Sequence, residues 1–481
     1  MLAALDWYKL RFWILIGFLV ACFLFGGSSR PDNVLLLPLR AISLLCLLAL
    51  LLLPGKLDFR AVRMPLLFLG AFAASMLIQL IPLPPSWWTA LPGRDLYTVN
   101  AVRDVVWAWH PITLSPDRTW NSLIATLTPL IVLVGYAGLR NEQRASLVTV
   151  LLYFAGGTIL LGAAQLAAGP NSAFFYYTGR SEGLPTGFLA NRNHQAALLV
   201  CVLPILRLWV LMPARSASFA RYRGIAALGI AAMLIPFILL TGSRMGTALI
   251  LIGLIGAWAV RPVALEWKGE GRARLWGALA AVVLIAGVAA LFVMQGRALS
   301  LDRLAVVGTA DDPRVKFMPI VIDMARLFFP AGSGFGSFDL VFRGFEPNQD
   351  LRPTYFNNAH NDLAELALTG GLLAIAVLLA FVLWCGRQIP RVFRRRGAPA
   401  NFSTYLARAG LFIILIFFLA SLVDYPLRAP AISAVFAIAA CWVAAHGAAR
   451  GQQATSLAPS LEPGYSGLGG SGGSRPSRRE P

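Results

Sequence analysis

Apolar runs of about 17–25 residues, each long enough to cross a bilayer as a helix, recur from one end of this chain to the other. A soluble domain cannot hide them: 58% of the 481 residues are hydrophobic and only 13% are charged. Lipid must therefore supply the solvent. Inside lipid every backbone N–H and C=O has to be paired within a helix or a closed barrel. The runs lack the polar–apolar alternation of barrel strands. The expected fold class is an all-α integral membrane protein with about 12 transmembrane helices.

Spans are expected near 11–27, 34–53, 64–81, 119–139, 146–168, 192–213, 224–241, 244–260, 275–295, 359–384, 407–425 and 429–447. The first follows Lys9 and Arg11 and is read as an uncleaved helix, because more spans follow at once and no small-residue cleavage site is evident. The formal net charge of +19 would suggest nucleic acid in a soluble protein. Here the basic residues fall in alternate loops, which topology explains without nucleic acid. Those loops carry Lys56, Arg60 and Arg63; Arg140 and Arg144; Arg215, Arg221 and Arg223; Arg261, Lys268, Arg272 and Arg274; and Arg387 with Arg391 and Arg394–Arg396. The positive-inside rule makes these loops cytoplasmic and puts both termini in the cytoplasm. Residues 1–450 then form one polytopic domain, and 451–481, rich in Gly, Ser and Pro, read as a disordered cytoplasmic tail. The five cysteines lie in or beside apolar runs and suggest neither a disulfide framework nor a metal site.

Three outer segments exceed a simple turn. Residues 82–118 hold Trp87, Trp88, Trp107 and Trp109, and residues 169–191 hold Phe174, Phe175, Tyr176 and Tyr177. Such aromatic groups sit at lipid headgroups or, as the alternative, stack on sugars. The largest, 296–358, is the expected periplasmic loop. It carries Arg297, Arg303, Arg314 and Arg326 beside Asp302, Asp311 and Asp312, then the run Gly332-Ser333-Gly334-Phe335-Gly336 and the run Asn357-Asn358-Ala359-His360-Asn361-Asp362. The glycine run allows close approach of backbone to a ligand, or is simply a turn; it lacks the Lys-Ser/Thr ending of a nucleotide loop. Asn357 or Asn358 is a candidate cap that would leave His360 near a helix N-terminus, where a neutral imidazole is favoured and can take a proton from a sugar hydroxyl. Otherwise His360 is an interfacial histidine with no chemical duty.

Arginines at outer span edges run against the orientation rule. Arg244 in Thr241-Gly242-Ser243-Arg244 and Arg192 in Asn191-Arg192-Asn193-His194 are two cases. Snorkelling accounts for such placements in part, but a planar guanidinium there also suits a phosphate. Asp424, Tyr425 and Arg428 make a third outer group, in which Asp424 and Arg428 are a possible pair. Asp311-Asp312 reads as a turn before a proline, so metal-independent chemistry is expected, with no cofactor.

The pieces Gly187-Phe188-Leu189-Ala190-Asn191-Arg192-Asn193-His194, Ser243-Arg244-x-Gly246, Arg314 ahead of Gly332–Gly336, and Ala359-His360-Asn361 followed by Gly370-Gly371 occur in one order on one side. Together, over about 185–430, they resemble the O-antigen ligase and polymerase family of bacterial membrane proteins. The resemblance implies a fold like that of the broader membrane glycosyltransferase group (GT-C-like). It implies a donor glycan on undecaprenyl diphosphate, an acceptor that is lipid A core or nascent polysaccharide, and a site on the periplasmic face of the inner membrane. By the same likeness His360, Arg244 and Arg314 are catalytic. Arg192, Asn193, His194, Asn361, Gly334, Gly336, Asp424 and Arg428 would bind substrate. Where that family often has an aromatic residue shortly after its loop arginine, this chain has Phe317 or Met318 rather than Trp, so Arg297 or Arg303 remains an alternative to Arg314. The competing reading is a transporter or flippase of lipid-linked sugar. It predicts ionisable residues near the bilayer midplane and repeated halves, neither of which is evident.

Overall fold

The computed structural model describes residues 6–30, 32–98, 108–177, 183–261, 313–351, 356–393 and 400–456. The long helices are α1 (Trp7–Phe25), α2 (Leu36–Leu52) and α3 (Arg63–Gln79). After the short α4 (Pro85–Thr89) and α5 (Asp95–Thr98) come α6 (Pro116–Ala125), α7 (Leu127–Ala137), α8 (Asn141–Ala168), α9 (Arg192–Leu211), α10 (Ala217–Leu240) and α11 (Arg244–Val260). The next group is α12 (Pro313–Lys316), α13 (Met318–Phe328) and α14 (Phe338–Phe342), and the chain finishes with α15 (Asp362–Phe393), α16 (Phe402–Ala420) and α17 (Pro430–Ser456). Among the described residues nine helical segments are long and apolar enough to cross a membrane, with α6 and α7 counted as one, and α2 and α11 are shorter apolar helices. The span expected at 275–295 lies outside the described residues, as do Arg297, Arg303, Asp302, Asp311, Asp312 and Trp107. Helix α17 ends at Ser456.

Many helices carry large apolar side chains outward, including Leu45 and Leu52 of α2, Tyr153 and Leu160 of α8, and Leu379 and Leu383 of α15. Water would penalise that surface heavily, whereas lipid does not. Between helices the drive is close packing, so small residues mark the contacts. Gly410 of α16 lies against α17, where a Cβ would stand 2.6 Å from the Ala439 carbonyl oxygen. Gly246 and Gly253 of α11 lie against Ala196 and Val200 of α9, so these two helices run in the same direction.

Two ends of the bundle can be told apart by their polar contacts. At one end, Ala431 N–H donates to Gly26 O (3.0 Å), Ala190 N–H to Gly27 O (3.0 Å) and Asp362 N–H to Ser421 O (2.8 Å). These bonds gather the end of α1, the approach to α9, the start of α15, the end of α16 and the start of α17. At the other end, arginines supply donors to carbonyls that helix C-termini leave unpaired. Arg11 reaches Leu53 O after α2 at 2.7 Å, and Arg408 reaches Val392 O and Val260 O at 3.2 and 3.1 Å. Arg207 reaches Arg261 O at 3.0 Å, and Arg223 reaches Trp209 O at 3.1 Å. Arginines on α1, α9, α10 and α16 thus hold the ends of α2, α9, α11 and α15.

The outer segment 82–118 is partly built: Pro82–Leu83 and His110–Pro111 form a two-stranded antiparallel pair, β1 and β2. Trp88 is buried and donates to Pro111 O at 3.0 Å, whereas Trp87 and Trp109 are exposed.

The packing yields a prediction with opposite signs at two glycines. Gly410→Ala drives a methyl into backbone and is expected to destabilise by about 1–3 kcal/mol. Gly386→Ala, on an exposed part of α15 with nothing near its added Cβ, is expected to be neutral or stabilising by up to about 1 kcal/mol. Thermal midpoints in detergent check both, and equal midpoints would contradict the α16–α17 contact.

Candidate active site

Asp424 follows α16 in a turn closed by its own N–H on Ala420 O at 2.9 Å. Its side chain is fully buried. Asn193 Nδ2 donates to Oδ2 at 2.7 Å, Asn191 Nδ2 approaches the same oxygen at 3.4 Å, and Tyr425 N–H donates to Oδ1 at 3.0 Å. Two imidazoles face Oδ1, His360 through Nδ1 at 3.4 Å and His194 through Nε2 at 3.6 Å. Neither ring nitrogen is in hydrogen-bond geometry, so these are close electrostatic contacts that substrate could tighten. Arg314 stands on the other oxygen, 3.8 Å away, and donates to Val423 O at 3.3 Å.

The electrostatics follow from this arrangement. Burial alone would raise the Asp424 pKa, but the two imidazoles and Arg314 outweigh it and hold the carboxyl well below its usual range. Burial lowers the His360 pKa; Asp424 opposes that shift, and the charges of Arg314 and His194 add to it. The two shifts favour a neutral imidazole beside an ionised carboxylate, and in the tautomer with its proton on Nδ1, toward Asp424, the Nε2 lone pair is available.

The backbone of His360 is unusual. Its φ is +52°, in the left-handed region, where a non-glycine residue needs a reason. The reason is an ion-pair network one turn away. Arg428 donates through Nε to Asp362 at 3.0 Å, through one terminal nitrogen to Asn358 at 2.9 Å, and to Glu365. The other oxygen of Glu365 accepts from Ala359 N–H at 2.8 Å. Residues 358 and 359 are therefore clamped just before His360. The pKa of Arg428 is raised: burial would lower it, but Glu365 and Asp362 more than offset that. Below the histidine, Phe356 lies 5.3 Å from its ring and Tyr425 4.9 Å, with Phe317 and Phe342 packed behind Phe356. The aromatic character of Phe317 serves this bed.

Several sequence expectations change here. Asn361, not Asn357 or Asn358, caps the helix, its Oδ1 accepting from Leu363 and Ala364 N–H at 3.0 Å each. His360 stands just ahead of that cap, near the start of α15, and burial is the first cause of its lowered pKa. Asp424 and Arg428 are not partners; each heads its own cluster. The start of the glycine run packs against protein, and Gly336 lines a cavity between the helices. Gly332 N–H donates to Phe328 O, Ser333 N–H to Leu368 O and Gly334 N–H to Thr369 O. A Cβ on Gly334 would meet Thr113 Oγ1 at 1.8 Å, and one on Gly336 would meet Arg118 O at 3.0 Å. Gly332 and Gly334 thus brace the bend of α15 at Gly371, whose φ is +62°, and Gly336 packs beside Arg118 of α6. Glu365 is the residue that the sequence reading missed. An acid placed just inside an apolar span is costly unless paired, and that was the available signal.

Arg192 and Arg244 are the first residues of α9 and α11. Asn191 caps one helix, accepting from Asn193 N–H at 2.8 Å, and Ser243 caps the other, accepting from Gly246 N–H at 3.1 Å. Because these helices run side by side in one direction, both arginines stand at the end of the bundle that holds His194. Helix N-termini and guanidinium groups both favour an anion. Among the described residues no group of three or more His, Cys, Asp or Glu is placed to hold a metal ion.

Removing Glu365 tests the clamp. Glu365→Ala leaves Ala359 N–H and Arg428 each short of an acceptor, a loss of about 1.5–3 kcal/mol for hydrogen bonds to charged groups. Activity is expected to fall mainly in kcat, with Glu365→Gln, which can still accept from Ala359, intermediate between Ala and wild type. Equal effects of Gln and Ala on kcat would contradict a positioning role for this backbone contact.

No curated protein matches the chain. A family described as O-Antigen ligase matches residues 228–379. That stretch contains Arg244, Arg314, His360, Asp362 and Glu365, whereas His194, Asp424 and Arg428 lie outside it. With several apolar helices of membrane-spanning length around it, the match supports the assignment of this multi-pass membrane chain to the O-antigen ligase and polymerase family.

Proposed function

We propose that the chain transfers a glycan from an undecaprenyl diphosphate carrier to an acceptor hydroxyl, with His360 as the base and without a metal. The observation that carries this reading is the His360 ring nitrogen 3.4 Å from the buried Asp424 carboxylate, with Arg314 3.8 Å from its other oxygen. The acceptor oxygen attacks the anomeric carbon, and His360 Nε2 takes its proton. The bond from that carbon to the diphosphate oxygen breaks, and its electron pair leaves with the diphosphate. Attack opposite the leaving group inverts the anomeric configuration. Asp424 steadies the imidazolium that forms, and Arg314, Arg244 and Arg192 stabilise the charge that builds on the diphosphate. Asn193, His194 and Asn361 hold the walls of this site, Gly334 acts at a distance through the bend in α15, and Gly336 lines the cavity beside it.

The end of the bundle where arginines cap helix C-termini is read as cytoplasmic, which supports reading the His360 end as the periplasmic face of the inner membrane. Ligase and polymerase share this chemistry and differ in the acceptor, lipid A core or nascent polysaccharide.

Purified protein supplied with undecaprenyl-diphosphate-linked glycan and candidate acceptors should form a glycosidic product without nucleotide. His360→Ala is expected to lower turnover by about 100- to 10,000-fold while membrane insertion persists; near-normal turnover would remove His360 as base. Arg244→Lys is expected to be damaging, because a point charge does not replace the planar fork. An unaffected rate would leave Arg244 as a snorkelling residue.

The pH profile has a defined sign. The His360 pKa is lowered, so the neutral base persists to below pH ~6.5, its unperturbed value. Activity is then lost as pH falls through that lower pKa. Arg314→Ala removes a charge that lowers it and should move the acid limb up; Asp424→Asn removes one that raises it and should move the limb down. Shifts in the opposite directions would contradict the assignment.

A further inference from the structure

His194 is 1% exposed, and neither of its ring nitrogens has a hydrogen-bond partner among the described residues. A buried donor left without its bond costs roughly 1–3 kcal/mol. The ring stands edge-on to Tyr425, with centroids 5.4 Å apart and planes at 86°. A phenyl ring would make that packing contact without the cost. The imidazole therefore calls for a reason, and the polar group it faces is the Asp424 carboxylate, with Nε2 3.6 Å from Oδ1. The same Tyr425 ring lies 4.9 Å from His360. Both imidazoles are thus packed on one tyrosine beside one carboxylate oxygen.

That oxygen cannot satisfy both. A carboxylate offers about four lone-pair sites, shared equally between its oxygens. On Asp424 Oδ2 they are taken by Asn193 Nδ2 at 2.7 Å and Asn191 Nδ2 at 3.4 Å. Arg314, 3.8 Å from the same oxygen, acts there as a charge. On Oδ1, Tyr425 N–H takes one site at 3.0 Å. The last site is faced by two ring nitrogens, His360 Nδ1 at 3.4 Å and His194 Nε2 at 3.6 Å. Both distances exceed the ordinary range of about 2.7–3.2 Å for an N–H···O bond. Two donors held beside one open site give that result: neither closes in while the other is present.

We propose that His194 is a positioning residue for the base: its Nε2–H shares the last open site of Asp424 Oδ1 with His360 at rest, and yields that site when His360 becomes an imidazolium. The inference rests on the transferase reading above and gives His194 a part in it that acts through Asp424. At rest the bond from His360 to Asp424 is weak. When His360 Nε2 takes the acceptor proton, its ring gains a full positive charge, and Nδ1–H becomes the stronger donor to the carboxylate. The bond is then completed as the transition state forms. An interaction stronger in the transition state than in the ground state raises kcat, whereas one equally strong in both does not. Without His194, His360 would hold Asp424 fully at rest, and that difference would be lost.

The shared bond is read by magnetic resonance, which needs no turnover. The chain contains four histidines, so histidine-selective ¹⁵N labelling of the full protein in phospholipid nanodiscs gives few enough ring signals to assign by single substitutions. In the wild type His194 is expected to carry its proton on Nε2. His194→Phe keeps the ring shape and removes the N–H, and should move the His360 Nδ1 proton downfield as its bond to Asp424 shortens. A wild-type His194 with its proton on Nδ1 alone would overturn the proposal, and that result needs no variant to fold. So would a His360 Nδ1 signal unmoved by His194→Phe. Kinetics supply the second arm. His194→Phe should lower kcat by about tenfold, the scale of one hydrogen bond to a charged group, with little change in KM. His194→Gln, whose amide N–H reaches the same site, should recover most of that loss. A raised KM with kcat unchanged in His194→Phe would make His194 a substrate contact and sink the positioning role, while the transferase reading stands. The expected ring signals in a wild-type protein that transfers nothing would instead defeat the transferase reading and leave the shared bond.

Discussion

A fully buried carboxylate that stays ionised is the constraint on which this site depends. Asp424 sits where burial should neutralise it, and it keeps its charge because Asn193, Tyr425 N–H, Arg314 and two imidazoles surround it. Those partners come from the start of α9, the turn after α16, α12 and the segment before α15. One charge therefore fixes four parts of the chain relative to each other. A buried carboxylate stripped of its partners would be costly, so the elements are held in register by the need to satisfy it. The second cluster, Arg428 with Asp362, Glu365 and Asn358, applies the same logic one turn away and fixes the backbone that presents His360.

Two of the glycines and the arginines at the far helix ends gain a common interpretation from this. Both brace the site end without being part of it. Gly332 and Gly334 let the segment after α13 press against the bend of α15, and α15 begins where His360 is presented. Arg408, Arg207 and Arg11 tie helix C-termini together at the far end. Loss of either brace would loosen His360 from a distance.

How much of this was legible in the sequence depends on the range of the interaction involved. The apolar helices were readable because lipid solvation is a local property of each run. α1, α9, α10 and α16 all lie within the runs marked out by hydropathy, give or take a few residues. His360 and Asp424 were singled out as polar residues at span edges, His194 and Arg314 by the family resemblance, and the fold gathers the other three around the Asp424 carboxylate. Partner choice was not readable. Asp424 and Arg428 are four residues apart and look like a pair, yet the turn after α16 sends them to different clusters. The cap of α15 was misplaced because Asn357, Asn358 and Asn361 are equivalent as caps in sequence; only the clamp from Glu365 and Arg428 on the residues before His360 selects Asn361. Glu365 itself was hidden in an apolar run, where its meaning comes from an arginine 63 positions away.

The central claim is that the His360 imidazole, steadied by Asp424, removes the acceptor proton. Chemical rescue tests it most directly. His360→Gly protein would be assayed for glycan transfer with and without free imidazole in the buffer. The account predicts that imidazole restores a measurable part of the lost turnover, and that it fails to do so when Asp424→Asn is combined with His360→Gly. Turnover of His360→Gly near the wild-type rate without imidazole would contradict it.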